Sequence, residues 1–302
     1  MKTLTGLISA TVTPMNPDGS LKLDIIPAIV DRLVANDIGG LYVCGSTGEG
    51  PLLTTEERRA VAQAYVTAAA GRIPVVVQVG HTSNHEARGL AAHAASIGAD
   101  ALSALPPTYF KPDGMDMLIA CLREVVSGAP DLPFYYYHIP KLTDVALDMT
   151  EMLRRGPEEL PSLAGIKFSS YTQHEFQACV EQAGDKHTML FGVDESCISG
   201  HALGAAGAVG STYNFMAPLY HTAKAAYDAG NTKEAFALQA DAGRIIRVML
   251  AYKGMAGLKA AMKITGLDCG PCRLPLYSLS DEECAAFEKE LSAVGFEQWA
   301  MK

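Results

Sequence analysis

One rhythm constrains this chain more than any other feature. Eight short runs rich in Val, Ile, Leu and Tyr, at residues 7–12, 40–44, 74–80, 101–106, 133–140, 163–170, 188–195 and 207–212, are separated by Ala-rich stretches of helical period. Short apolar runs of this kind suit strands buried on both faces, as in a parallel sheet covered by helices. The intervening helices are expected near 24–35, 55–70, 83–96, 114–127, 145–155, 174–183 and 196–203. Two of them carry start signals, Thr54 with Glu57 and Ser83 with Glu86, in the spacing of a capping box. Eight βα units within about 225 residues, without a break in composition, are too tightly spaced for two doubly wound domains. They predict an α/β fold, a closed (β/α)8 TIM barrel over residues 1–228. Residues 229–302, which contain EAFALQADAGRIIRVMLAYKG, GLKAAMKITG and SDEECAAFEKELSAV, predict a C-terminal helical extension packed on that barrel.

Composition narrows the partners. A formal charge of -9 disfavours a nucleic-acid backbone or an anionic membrane surface. No apolar stretch reaches 18 residues, and the N-terminal segment MKTLTGLISATVTPMNPDGS lacks the pattern of a signal peptide. Seven scattered cysteines do not look like a disulfide framework, so a cytoplasmic protein is expected.

In a barrel of this kind the active site forms at the C-terminal ends of the strands. That rule selects Ser46, Thr47 and Glu49, then Tyr137 and His138, Lys167 and Ser169, Asp194 and Glu195, and Ser211 and Thr212. Lys167 is the most informative because it interrupts an apolar strand, where alternation aims it inward with Gly165 and Ser169. A buried amine either loses part of its basicity and becomes a nucleophile for a ketone, or is held by a carboxylate, or snorkels to solvent. Alternation puts Tyr135 and Tyr137 on one side and Tyr136 on the other, so Tyr137 is a proton relay or a packing residue. The loop GSTGEG is a hydroxyl-bearing nest for a carboxylate or a plain turn; it matches neither GxxxxGK[ST] nor GxGxxG. Asp194 and Glu195 read as a metal pair, sugar-hydroxyl acceptors or helix caps. No HExxH occurs, so no catalytic metal is expected. CGPC, with Cys269 and Cys272, has redox spacing but lies between helical segments, which favours a turn.

Taken in order, GSTGE, YHIP, GIKFS, GVDE and GSTYN make the chain resemble, from first strand to helical tail, the pyruvate-dependent class I aldolases of the dihydrodipicolinate synthase / N-acetylneuraminate lyase family. The resemblance implies Lys167 as Schiff-base lysine, Tyr137 as catalytic tyrosine, and Ser46 and Thr47 as holders of the pyruvate carboxylate. It places Ser169, Gly192, Asp194, Glu195 and Ser211 on the aldehyde or sugar side, and has Tyr109 reach a neighbouring subunit's site, although Thr108 stands where an aromatic residue is common. It further implies no cofactor and a homotetramer. The synthase branch has an arginine two residues after YNxP, whereas Lys141 and Leu142 follow YHIP here, so the lyase branch is favoured. The implied activity is reversible cleavage of N-acetylneuraminate to N-acetylmannosamine and pyruvate. Its alternatives are a related aldolase or dehydratase for another 2-keto sugar acid, and a non-catalytic barrel binding sugar acids.

Overall fold

The computed structural model describes residues 4–302. Eight parallel strands close on themselves in sequence order: β1 Gly6–Ala10, β2 Gly40–Val43, β3 Val75–Gln78, β4 Ala101–Ala104, β5 Phe134–His138, β6 Leu163–Phe168, β7 Thr188–Phe191 and β8 Gly207–Gly210. Closure is made by β1 on β8, with Ile8 opposite Val209. The chain is a (β/α)8 TIM barrel.

Alternation along the strands divides the core. Ile8, Tyr42, Val76, Tyr135, Tyr137, Leu190 and Val209 fill the interior. Their neighbours, including Leu41, Val43, Val75, Phe134, Tyr136, Ile166 and Phe191, pack outward under the helices. Both faces are therefore apolar, which is why these strands show unbroken hydrophobic runs rather than polar alternation.

The helices are α1 Ile26–Ala35, α2 Thr55–Ala69, α3 Asn84–Ser96, α4 Met115–Val126, α5 Pro140–Thr143, α6 Met149–Glu159, α7 Gln173–Ala183, α8 Cys197–Ala202, α9 Ala217–Asp228, α10 Thr232–Ala251, α11 Met255–Ile264 and α12 Asp281–Ala293. The capping box at Thr54 and Glu57 is formed in full, and the Ser83 side chain accepts from the Glu86 N–H. Around residues 140–159 the helices depart most from the sequence expectation. The helix expected from Val145 begins at Met149, because the Asp148 carboxylate accepts the Thr150 N–H and caps it there. The short α5 was not expected; it starts on Pro140, whose fixed φ and missing N–H suit a first helical position.

Beyond the barrel, α10 packs on α9 and on the Asp194–Ser196 turn, and α11 and α12 pack on α10. The tail thereby reaches the C-terminal ends of the strands. No helix among the described residues is long and apolar enough to cross a membrane.

Candidate active site

Lys167 sits near the end of β6, opposite Tyr137 of β5 and Leu190 of β7. Its side chain is 3% exposed. The Nζ atom lies 3.8 Å from the ring centroid of Tyr42 and 3.8 Å from that of Tyr137. Among the described residues no carboxylate is in ion-pair contact with it. Burial pushes the amine below the ordinary lysine range, while Tyr137 and the charge of Asp194 pull the other way. Such surroundings favour the neutral form of an amine over the charged one.

The loop after β2 brings hydroxyls to the same place. Ser46 Oγ is 3.4 Å from the Tyr137 hydroxyl, and Thr47 Oγ1 is 2.7 Å from Ser211 Oγ. Cys44 and Glu49, at φ of 60° and 54°, bracket this loop in the left-handed region, a strained backbone that needs support from its surroundings. The support comes from the tail. The buried Glu49 carboxylate is 2.6 Å from Lys259 Nζ of α11 and accepts the Arg273 N–H at 2.7 Å; Lys259 also donates to the Pro271 carbonyl at 2.6 Å.

The third wall comes from β7 and β8. Asp194 Oδ2 accepts the Thr212 N–H at 2.9 Å and the Thr212 hydroxyl at 2.7 Å. That commits the Thr212 hydrogen, so the Tyr220 hydroxyl, 2.8 Å away, donates to Thr212 Oγ1. Burial pushes the Asp194 carboxyl up to about 6, chiefly by desolvation, with the Thr212 bonds opposing. Gln239 of α10 holds the turn by donating to the Asp194 carbonyl at 3.0 Å and accepting the Ile198 N–H at 2.9 Å. Gly192 permits the close approach of β6: a Cβ there would lie 2.0 Å from Ser169 Oγ.

A cleft of about 390 Å³ opens over these strand ends. Ser169, Gly192, Asp194, Glu195 and Ser211 line one side; Ile246, Met249, Leu250 and Leu258 of the tail line the other. Lys167 and Tyr137 are buried deeper and form no part of its wall. Glu195 is engaged at its edge by the Tyr171 hydroxyl, 3.4 Å from Oε1.

Lys167, Tyr137, Ser46, Thr47, Ser169, Gly192, Asp194, Glu195 and Ser211 are thus gathered at one end of the barrel. Tyr109 is not: it is 79% exposed and its ring meets that of Phe110 edge-on at 5.0 Å. His138 turns to the outer face, where it packs on Phe168 at 4.8 Å and burial pushes it down to about 4. The CGPC segment is a docking turn. A Cβ at Gly270, whose φ is +68°, would lie 1.9 Å from the Met15 carbonyl oxygen, and the Cys269 carbonyl accepts the Met15 N–H. Burial pushes Cys269 up to about 12 and Cys272 up to about 11, so neither is primed as a thiolate. Among the described residues no group of three or more His, Cys, Asp or Glu is placed to hold a metal ion. Tyr42 and Lys259 escaped the sequence reading. The alternation that aims Tyr137 inward does the same for Tyr42, whereas nothing local marks Lys259 as a partner of Glu49.

The profile of the Dihydrodipicolinate synthetase family matches residues 3–294. The chain belongs to that family. Within it, N-acetylneuraminate lyase of Xenopus tropicalis is 41% identical over 281 residues, covering 92% of each chain. The Homo sapiens N-acetylneuraminate lyase is 39% identical over 301 residues, 98% of this chain and 94% of the relative. Among family members of known structure, Proteus mirabilis N-acetylneuraminate lyase superposes with a TM-score of 0.94 at 38% identity, covering 97% of this chain and 99% of that one. The catalytic lysine mutant of Ruminococcus gnavus sialic acid aldolase gives 0.92 at 28% identity, covering 99% and 100%.

Proposed function

We propose that this protein is a Schiff-base aldolase that reversibly cleaves N-acetylneuraminate to N-acetylmannosamine and pyruvate. The observation that carries the reading is the Lys167 amine, buried at the barrel mouth between the rings of Tyr42 and Tyr137 and, among the described residues, without a carboxylate in contact. Relatives called N-acetylneuraminate lyase over nearly the whole chain support the substrate, and a neighbour solved as a catalytic lysine mutant supports the lysine chemistry.

In this mechanism neutral Lys167 Nζ adds to C2 of the open-chain keto acid, and loss of water with uptake of one proton from solvent gives a protonated imine. The C4 hydroxyl proton passes through Tyr137 toward the substrate carboxylate. The C3–C4 bond breaks, its electron pair becomes the C2–C3 double bond as the imine π pair moves to nitrogen, and the aldehyde leaves an enamine on the lysine. Protonation at C3 and hydrolysis release pyruvate and restore the amine. Ser46 and Thr47 hold the carboxylate and so set the plane of the imine. Ser169, Asp194, Glu195 and Ser211 take the polyol hydroxyls, with Gly192 leaving room for them; acceptor carboxylates suit a chain of hydroxyl donors. The lysine itself is the electron sink, so the chemistry requires no dissociable cofactor.

Borohydride reduction with pyruvate tests the reading: a stable adduct on Lys167 is expected, and an active preparation that yields none overturns it. Tyr137→Phe is expected to depress kcat far more than it raises KM; unchanged turnover removes the relay. The exposed Tyr109 and Phe110 pair supports a homotetramer in which Tyr109 completes an adjoining site, which mass measurement in solution checks. Seven free cysteines are consistent with a cytoplasmic enzyme.

A further inference from the structure

The lysine described above has a second aromatic neighbour whose part in the chemistry is separate from that of Tyr137. Tyr42 stands on β2, fully buried, with its ring centroid as close to Lys167 Nζ as that of Tyr137, 3.8 Å in each case. A cation over a ring face at such a distance is attracted by the negative centre of the ring's quadrupole.

The hydroxyl of Tyr42 is already committed. Ser103 Oγ donates its one hydrogen to the Tyr135 carbonyl at 2.7 Å. In the 2.7 Å contact between Tyr42 and Ser103 the tyrosine is therefore the donor. Burial also raises the Tyr42 phenol well above its ordinary range, which removes it as a base at neutral pH. Tyr137, by contrast, has its hydroxyl near Ser46 on the loop side of the site. What Tyr42 offers the amine is its face. The ring cannot swing away, since it is anchored through Ser103 and packs edge-on against Tyr137 at 5.6 Å and 77°.

The reaction makes conflicting demands on this position. The amine must be neutral to attack, yet the protonated imine that follows carries a positive charge throughout the bond-breaking step. A carboxylate in contact with Nζ would serve the second demand and defeat the first, because it would hold the lysine as an ammonium. A ring face stabilises a cation more weakly. It also suits a flat, poorly hydrated iminium better than an ammonium that must first give up its water. We propose that the ring face of Tyr42 is a catalytic element of this site, stabilising the protonated imine on Lys167 through a cation–π contact. This rests on the imine mechanism proposed above.

The test replaces Tyr42 in the full-length protein by phenylalanine and by mono-, di- and trifluorinated phenylalanine. These rings have nearly the same shape but a progressively weaker negative face. The readout is the pyruvate concentration giving half-maximal borohydride-trapped adduct on Lys167, measured by intact mass. From phenylalanine to the trifluorinated ring this concentration is expected to rise stepwise by roughly 5–30-fold, the span available to a desolvated cation over an aromatic face. A flat series overturns the inference and leaves Tyr42 as packing. Tyr42→Leu, which also opens a cavity, is the second variant: trapping as efficient as in the phenylalanine variant would overturn the inference equally. If the unmodified protein forms no adduct, the imine mechanism itself fails, and that outcome is distinguished because it precedes any comparison within the series.

Discussion

Two lysines of this chain are buried almost equally in opposite surroundings. Lys167, at the barrel mouth, is 3% exposed and Lys259, where the tail meets the β2 loop, is 4% exposed. Lys259 is 2.6 Å from the Glu49 carboxylate and donates to the Pro271 carbonyl. Lys167 has two ring faces and, among the described residues, no carboxylate in contact. Burial alone therefore does not make a nucleophile. What distinguishes the two regions is the partner: a carboxylate favours the charged form and turns lysine into a brace, whereas apolar and aromatic surroundings favour the neutral form and leave a lone pair available.

The largest effect is expected from removing the unpaired amine. Lys167→Met is expected to remove the pyruvate adduct and lower turnover by at least roughly 10³-fold, as loss of a covalent nucleophile does. The same change should not destabilise the protein. The native lysine has its pKa lowered by burial, so between that value and about 10.4 the unfolded chain binds more protons and wild-type stability rises with pH. The stability advantage of Lys167→Met over wild type is thus largest at pH below the lowered value, and shrinks as pH rises toward about 10. Denaturant midpoints at several pH values check the sign.

Lys259→Met should behave in reverse. It leaves the buried Glu49 carboxylate without its ion partner and is expected to cost about 3–5 kcal/mol of stability, read as a fall in Tm, while the folded fraction still traps pyruvate on Lys167. Combining it with Glu49→Gln removes both charges, and recovery of most of that loss is expected. A double variant as unstable as the single one would mean that shape, not charge, holds the loop.

A smaller effect separates the sugar side from the lysine. Because burial pushes Asp194 up to about 6, its carboxylate is charged above that pH and neutral below it. Affinity for the polyol chain is expected to fall as pH drops through about 6, and Asp194→Asn should weaken sugar-acid binding by about tenfold and flatten that dependence. Pyruvate trapping should keep its own pH profile in this variant. A parallel change in both would tie Asp194 to the lysine rather than to the sugar.

How much of this was visible before the structure follows the range of each interaction. The barrel was legible because each strand carries its own apolar run and each helix its own period, and because turn and capping signals separate them. Lys167 was legible because a single cation interrupts such a run, and Tyr137 because alternation divides the three consecutive tyrosines. The pairing of Glu49 with Lys259 was not, since 210 positions separate them and the sequence around Lys259 shows only another helical lysine. Tyr42 could be aimed inward by the same alternation, but its position over Nζ depends on the stagger of β2 against β6 across the closed barrel, which no local pattern records. Likewise the start of α6 depended on which of several residues would cap it, and Asp148 prevailed over the apolar run before it.

The finest test of the contrast lies beside the brace. Arg273 grips both carboxylate oxygens of Glu57, at 2.5 and 2.8 Å, and donates to the Leu52 and Gly19 carbonyls at 3.2 and 2.7 Å. Glu57 in turn accepts the Thr54 N–H and caps α2. Unlike Glu49, this carboxylate keeps its cap and remains partly in water, so removing its partner strands no buried charge. Arg273→Gln is therefore expected to cost only about 1–2 kcal/mol and to shift half-maximal pyruvate trapping by less than about threefold, because Lys259 still holds the loop. Arg273 keeps the Glu57 carboxyl below its ordinary value of about 4.3, so the difference between variant and wild type should be full above that pH and fade as pH falls through the lowered value. Thermal unfolding across that range decides it: a loss as large as that of Lys259→Met would move control of the loop from the fully buried pair to the half-buried one.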